Sequence, residues 1–215
     1  MKNKFSTRYN EDTGANFGAE RPLDFLVEAT SDLSSGKALD IGAGDGRNSL
    51  YLAKRGFEVR AVDLSKNAMH KLSERAVREH LSIHTVVGDI LEIGLEGSYD
   101  IIVCSAMLHH LTREHALRLI ERMQQHTAAG GLHVAAVVNK GGDFFKSNPN
   151  TIRFYAELGE MFELYRRWVF IKYEERKFTA MQKWPDGSDM INVAAQFVVR
   201  KPKFEPVVPS QSLVL

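Results

Sequence analysis

The sequence predicts one α/β domain: a mostly parallel sheet with helices on both faces, closed by an antiparallel C-terminal hairpin. Three observations predict it. Apolar strand-like runs alternate with amphipathic runs of helical period from residue 37 to residue 138. The first such strand, Ala38-Leu39-Asp40-Ile41, runs into three alternate glycines, Gly42, Gly44 and Gly46, and a helix follows at once. The last two strands, Trp168 to Thr179 and Met190 to Arg200, are joined by Trp184-Pro185-Asp186-Gly187. A turn in place of a helix makes that pair antiparallel.

Taken in order, residues 1–18 are polar apart from Phe5, Tyr9 and Phe17 and read as a lid over the domain. Glu20 to Leu33 reads as a helix with Pro22 in its first turn, where the missing N–H costs nothing, and Ser34-Ser35-Gly36 ends it. Arg47 to Lys54 is the helix after the glycines, and Phe57 to Val62 is a second strand ending in Asp63. Ser65 caps a helix through His80 whose Ala68, Met69, Leu72 and Ala76 face the sheet. Leu81 to Val87 is a third strand, followed by Gly88-Asp89-Ile90. Tyr99 to Cys104 is a fourth, apolar without interruption after Asp100, as a parallel strand covered on both faces should be.

Arg113 to Thr127 reads as a helix, Gly130-Gly131 as a turn, and Leu132 to Val138 as the fifth strand. Lys140 to Asn150 is a polar loop, and Thr151 to Phe162 carries Phe154, Tyr155, Leu158 and Phe162 in helical phase. Residues 201–215 hold three prolines and form an extended tail, leaving 37–200 as the core of a single domain.

Size and composition narrow the function classes. At 215 residues the chain can bury one sizeable core, and its net charge of +1 lacks the basic excess of a nucleic-acid or acidic-membrane binder. No apolar run approaches a bilayer span, and the first twenty residues lack a signal-peptide core, so no membrane partner is expected. A lone cysteine, Cys104, fits a reducing, cytoplasmic setting. No Cys/His group has zinc-ligand spacing, and no metal is expected. A monomer or a homodimer is compatible with these features.

The glycine turn carries the chemistry. Alternate glycines let the backbone bend with positive φ and approach a ligand without an intervening Cβ. The helix behind them offers unpaired N–H groups and the positive end of its dipole. Asp40 in the strand end and Asp45 in the loop would repel a bare pyrophosphate, so a ligand with an ammonium and hydroxyls suits the place better. Asp63, at the tip of the second strand, is placed to accept from two ribose hydroxyls. The alternatives are a tight turn with no ligand, and Asp63 serving only to cap the next helix. A dinucleotide fingerprint would need glycine at 47, where Arg47 stands.

The form G-x-G-x-G with an acidic residue two positions earlier resembles the first motif of class I S-adenosylmethionine (SAM) methyltransferases. Residues 37–200 are similar to that superfamily, whose Rossmann-like domain has a seven-stranded sheet with its last strand inserted antiparallel. The run Gly46-Arg47-Asn48-Ser49-Leu50-Tyr51-Leu52-Ala53 narrows the likeness to the small TehB-like, tellurite-resistance group. The resemblance implies a cofactor, SAM, and roles around it. Gly42 and Gly44 would pass close to its methionine part, with Asp40 near the ammonium. Asp63 would hold the ribose and Leu64 would pack on the adenine. Asp89 and the Ile90 N–H would meet the adenine edge, and Ser105 with Ala106 would line the path to the methyl.

The implied reaction moves the S-methyl group to a small-molecule acceptor by in-line displacement. A soft nucleophile needs no base, whereas an alcohol or phenol needs its proton removed, for which His109 and His110 after the fourth strand are the candidates. Both could equally belong only to the loop entering the next helix. Tyr9 and Phe17 from the lid, and Phe144, Phe145, Arg153 and Tyr155 after the fifth strand, are candidates for a substrate wall. The TehB-like group is expected to place basic side chains around the terminal hairpin for an oxyanion. Here Ala180-Met181-Gln182 is uncharged, which leans toward a less charged acceptor. The alternative function is a non-catalytic SAM-binding module or partner subunit.

Overall fold

The computed structural model describes residues 21–203, apart from the side chain of Met181. In chain order the elements are α1 (Asp24–Ala29), β1 (Gly36–Ile41), α2 (Arg47–Lys54), β2 (Phe57–Asp63), α3 (Lys66–Arg78), β3 (Ile83–Val87), α4 (Ile90–Ile93) and β4 (Tyr99–Ser105). A single 3-10 turn, Leu108–His110, follows. Then come α5 (Arg113–Gln125), β5 (Thr127–Val138), α6 (Asp143–Lys146), α7 (Glu160–Leu164), β6 (Val169–Lys183) and β7 (Asp189–Arg200).

The strands form one seven-stranded sheet in the order β3-β2-β1-β4-β5-β7-β6. The first five run parallel, and β7 inserts antiparallel between β5 and β6. Alternate residues therefore face opposite sides. On one face Phe25, Leu26, Leu52 and Ala53 cover Val59, Ile101, Val103, Val134 and Val198, and Met69 and Leu72 of α3 extend the layer over Ala61. On the other, Leu119, Ile120 and Met123 of α5 lie with Met161 and Tyr165 over Ile41, Ile102, Cys104, Ala135 and Phe197.

Three local expectations are overturned, each for a backbone reason. The N-terminal helix is Asp24–Ala29, shorter than Glu20 to Leu33, and Pro22 precedes it. Thr30 Oγ1 donates to the Leu26 carbonyl at 2.8 Å, and Arg55 Nη2 reaches the carbonyls of Thr30, Ser31 and Leu33, drawing them away from any further helical bond. Gly130 and Gly131 lie inside β5 and not in a turn before it. There they take up a shift in register, since Tyr99 pairs with Thr127 but Ile101 pairs with Leu132. A Cβ on Gly131 would stand 2.9 Å from the Ala128 carbonyl.

The third correction matters most for function. Residues 151–158 are not a helix but an extended strap across the end of the sheet. Phe154 N donates to Leu111 O at 2.8 Å, Ala156 N to Val138 O at 3.2 Å, and Lys140 N to Ala156 O at 2.9 Å. Those bonds recruit the strap's backbone to the ends of β5 and the 3-10 turn, bridging Thr112 to Arg153 and Asn139 to Ala156. Phe154, Tyr155 and Ala156 are consequently buried in succession while Leu158 is exposed, a pattern no helix face produces. The preceding loop also holds a helical turn, α6.

Candidate functional site

The glycine loop lies across the tips of β1 and β2. Gly42 N and Ala43 N both donate to the Val62 carbonyl, at 2.9 and 3.1 Å, folding the loop back onto the neighbouring strand. Gly42, Gly44 and Gly46 have φ of +70°, +53° and +77°, a region that L side chains disfavour. The packing reinforces the choice: a Cβ on Gly42 would sit 2.8 Å from Met107 Cγ, and one on Gly46 2.3 Å from Leu72 Cδ1.

Asp63 is tied into the same bend. Its Oδ2 accepts from Gly44 N at 2.9 Å and its Oδ1 from Ser65 N at 2.8 Å. The cap of α3 is Ser65, whose Oγ accepts from Ala68 N, so the capping role considered for Asp63 falls to its neighbour. Each carboxylate oxygen keeps lone-pair capacity for a further donor. Asp40 is buried beneath the loop, where its Oδ2 accepts from Ser49 Oγ at 2.7 Å. Burial pushes its carboxyl up to about 6, with Ser49 and Arg47 working against the rise and Asp63 adding to it. A buried carboxylate with that cost of ionisation favours a cationic ligand.

The remaining strand tips arrive on the same edge, since Asp63 pairs with Val87, Ile41 with Cys104, and Ser105 with Ala136. Leu64, just past β2, is half exposed. Asp89 caps α4 by accepting from Leu91 N at 2.9 Å through Oδ1. Ile90 is the first helical residue, so its N–H has no acceptor within the helix. Ser105 ends β4, and Ala106 behind it holds φ +53° with its N–H bound to Ala136 O at 2.8 Å. A non-glycine residue held in that region is strain of the sort that gathers at functional sites.

Beyond β4 the structure brings together most of the expected substrate wall. The rings of His109 and His110 lie 3.9 Å apart, His109 lies 6.1 Å from Tyr155, and Tyr155 lies 5.7 Å from Phe145. Arg153 is close enough to His109 and Tyr155 to affect the titration of both. His109 is buried, and its Nδ1 has no hydrogen-bond partner among the described residues. Burial, the neighbouring His110 and Arg153 together depress its pKa to about 3. Phe144 is fixed by its N–H to Asn192 Oδ1 at 2.9 Å, but it makes no ring contact with this wall among the described residues. Tyr9 and Phe17 lie outside the described residues.

Several supporting residues escaped the sequence reading. Asn139, fully buried at the end of β5, donates to the Glu175 carboxylate and accepts from Gly141 N at 2.9 Å. Glu175 also accepts from Gly159 N at 2.9 Å and Tyr173 Oη at 2.8 Å, pinning the far end of the strap to β6. These pairs join residues distant in sequence, and no local pattern announces them. The other histidines considered do not enter the site: His133 is buried between Thr127 and Tyr165, while His84 and His115 are exposed. Burial and Asp40 raise the Cys104 thiol to about 12, so it is inert packing. Among the described residues no group of three or more His, Cys, Asp or Glu is gathered for a metal.

The chain is similar to known proteins in both sequence and fold. A family model described as tellurite resistance protein TehB matches residues 6–193. A probable S-adenosyl-L-methionine-dependent methyltransferase TehB from Haemophilus influenzae (strain 10810) is 35% identical over 150 residues, 70% of this chain. The chain spans about half, 52%, of that protein's length. The crystal structure of TehB from Haemophilus influenzae superposes with a TM-score of 0.74 at 29% identity, covering 92% of this chain and 65% of that one. The N-methyltransferase NodS from Bradyrhizobium japonicum WM9, solved with S-adenosyl-L-homocysteine, superposes with a TM-score of 0.62 over 83% and 84% of the two chains. At 16% identity that likeness concerns the fold alone.

Proposed function

Because the chain belongs to the TehB tellurite-resistance family, we propose that it is a SAM-dependent methyltransferase acting on a small-molecule acceptor. We place its work in the cytoplasm, where its single cysteine stays reduced. The observation that carries the reading is the Asp63–Gly44 bond above buried Asp40, which sets two carboxylates around one glycine bend. That donor and acceptor set fits a nucleoside joined to a cationic amino acid. Clearance supports it too, since a Cβ on Gly42 would stand 2.8 Å from Met107 Cγ and crowd the bend.

Bound there, SAM supplies a methyl group already activated by its sulfonium centre. Asp40 neutralises the ammonium, and Asp63 accepts from the ribose hydroxyls while still holding the loop. Leu64 covers the adenine face, and the unused oxygen of Asp89 and the Ile90 N–H meet its polar edge. Ser105 and strained Ala106 shape the passage between this crevice and the aromatic wall.

His109 and His110 border the acceptor. With its pKa near 3, His109 is neutral at physiological pH and is a weak base. It orients an acceptor by hydrogen bonding and does not strip a proton from an unreactive alcohol. The site therefore favours acceptors that are nucleophilic without prior loss of a proton, as thiolates and neutral amines are. Alignment alone can contribute roughly 7–11 kcal/mol to such a reaction.

The test is release of S-adenosylhomocysteine by the full chain with SAM and a panel of thiols, amines, phenols and metalloid oxyanions. Calorimetry with S-adenosylhomocysteine and NAD should run beside it. Turnover with at least one acceptor, and binding of the homocysteine nucleoside but not NAD, is expected. Binding without turnover on any acceptor class would point to a non-catalytic SAM-binding module, and no binding would end the assignment.

A further inference from the structure

We infer that a cleft on the edge of the sheet opposite the glycine bend binds a small zwitterion, its carboxylate held by Arg60 and its ammonium by Glu58 and Glu96. This site is separate from the proposed cofactor site and does not depend on the methyltransferase reading.

The parallel strands all end on the glycine-bend edge, so their first residues gather on the other. Lys37, Glu58 and His84 each stand second in β1, β2 and β3, and Tyr99 opens β4. Register puts Lys37 beside Glu58, and Arg60 between Leu39 and His84. Residues paired in this way on neighbouring strands share a face. With Glu96 from the loop entering β4, these residues line a cleft of about 160 Å³, room for a molecule of amino-acid size. Lys37, Glu58, His84 and Glu96 are exposed, so the cleft opens to solvent, whereas Arg60 is half-buried and Tyr99 is buried.

Arg60 is the group that calls for a ligand. Among the described residues its Nε is sealed from water without a hydrogen-bond partner, and its Nη1 lies 3.5 Å from Tyr99 Oη, the long limit of a hydrogen bond. A half-buried guanidinium with N–H groups to spare is costly in that state, and a carboxylate matches its planar fork. His84 beside it offers the same carboxylate a ring N–H. The remaining charges fix what else the ligand carries. Among the described residues none of Lys37, Glu58, Arg60 and Glu96 belongs to an ion pair. Asp100, whose Oδ2 accepts from Lys37 N at 2.8 Å, is not part of the lining. A lone anion in the cleft would face two carboxylates, and a lone cation would face Arg60 and Lys37. A ligand bearing both charges avoids both repulsions and makes charge-assisted hydrogen bonds at each end.

The test is a two-dimensional NMR titration of the full chain at low ionic strength, with S-adenosylhomocysteine in excess to occupy the glycine bend. The probes are β-alanine, propionate and propylammonium, which share a short chain and differ in charge. β-Alanine should shift the amides of Arg60, His84, Gly97 and Ser98 and bind about tenfold more tightly than either singly charged probe. Replacing both carboxylates, Glu58→Gln with Glu96→Gln, should bring β-alanine to within about twofold of propionate, and Arg60→Gln should bring it to within about twofold of propylammonium. Both glutamates are exposed, so their replacement tests the site even where Arg60→Gln fails to fold. Propionate or propylammonium binding as tightly as β-alanine, or a β-alanine preference that survives loss of the two carboxylates, would overturn the zwitterion. No shift at these amides with any probe would overturn the site. Shifts confined to residues 42–46 would overturn it as well, because they place β-alanine at the glycine bend.

Discussion

Asp63 holds Gly44 by a 2.9 Å hydrogen bond from the glycine N–H, so the tip of β2 fixes the bend that leaves β1. A carboxylate doing two jobs gives a two-part prediction. Asp63→Ala should weaken S-adenosylhomocysteine binding by about 10- to 100-fold, roughly 1.4–2.8 kcal/mol. Asp63→Asn, which keeps one acceptor oxygen, should lose less. Calorimetry on both variants checks the order, and unchanged affinity in Asp63→Ala would remove the residue from the cofactor site.

Gly46 and Leu72 give the prediction for the loop's backbone. Alanine at 46 would adopt φ +77° and place its Cβ 2.3 Å from Leu72 Cδ1. The positive φ costs about 1 kcal/mol and overpacking about 1–3 kcal/mol. Urea unfolding of Gly46→Ala should therefore show about 2 kcal/mol or more of lost stability. Adding Leu72→Ala should relieve the clash but not the backbone strain, and a Gly46→Ala variant as stable as the parent would contradict the packing.

Asp40 predicts a pH dependence of cofactor binding. Burial pushes its carboxyl up to about 6 from an ordinary 3.8. An ammonium beside it favours the ionised form, so binding expels a proton wherever Asp40 is protonated. Affinity should rise as pH climbs from about 4 to 6, by at most about tenfold per unit, and level off above. Asp40→Asn should bind more weakly and lose the slope. A wild-type affinity flat across that window would separate Asp40 from the ammonium.

His133 predicts the acid sensitivity of the fold. Its Nδ1 faces Tyr165 Oη at 2.9 Å and its Nε2 faces Thr127 Oγ1 at 2.5 Å, and burial lowers its pKa from 6.5 to about 3. The unfolded chain takes up a proton below 6.5 that the folded chain refuses, so stability falls as pH drops from 6.5 toward 3. The slope is up to about 1.4 kcal/mol per unit for each such histidine, and His109 adds to it. Asp40 acts with the opposite sign, because the folded state there prefers the proton, and it offsets part of the loss between about 4 and 6. His133→Gln should melt at lower temperature at neutral pH yet lose less stability on acidification. An unaltered slope would show that His133 does not titrate on unfolding.

The gathering of the proposed cofactor residues on one edge of the sheet was legible because its signals are local. The order of strand, glycines and helix placed Asp40, Gly42 and Gly44 together, and Asp63, Leu64, Asp89, Ile90 and Ser105 fall at the tips of strands whose periodicity is plain. The acceptor side was less legible. Phe154, Tyr155 and Leu158 repeat with a helix's spacing, yet the strap is extended, because Leu111 and Val138 offer carbonyls at the sheet end that outbid a short isolated helix. Gly130-Gly131 read as a turn for a similar reason: paired glycines mark a bulge and a turn alike, and only the register against β4 separates them.

The sequence by itself determined the α/β order, the antiparallel hairpin and the glycine bend, since each depends on residues close together along the chain. The tertiary structure alone decided that Tyr155 lies 6.1 Å from His109, that Glu175 anchors the strap, and that burial moves Asp40 and His133 from their ordinary values. Those properties arise from burial and from contacts across the sheet, and neither is encoded in any stretch read on its own.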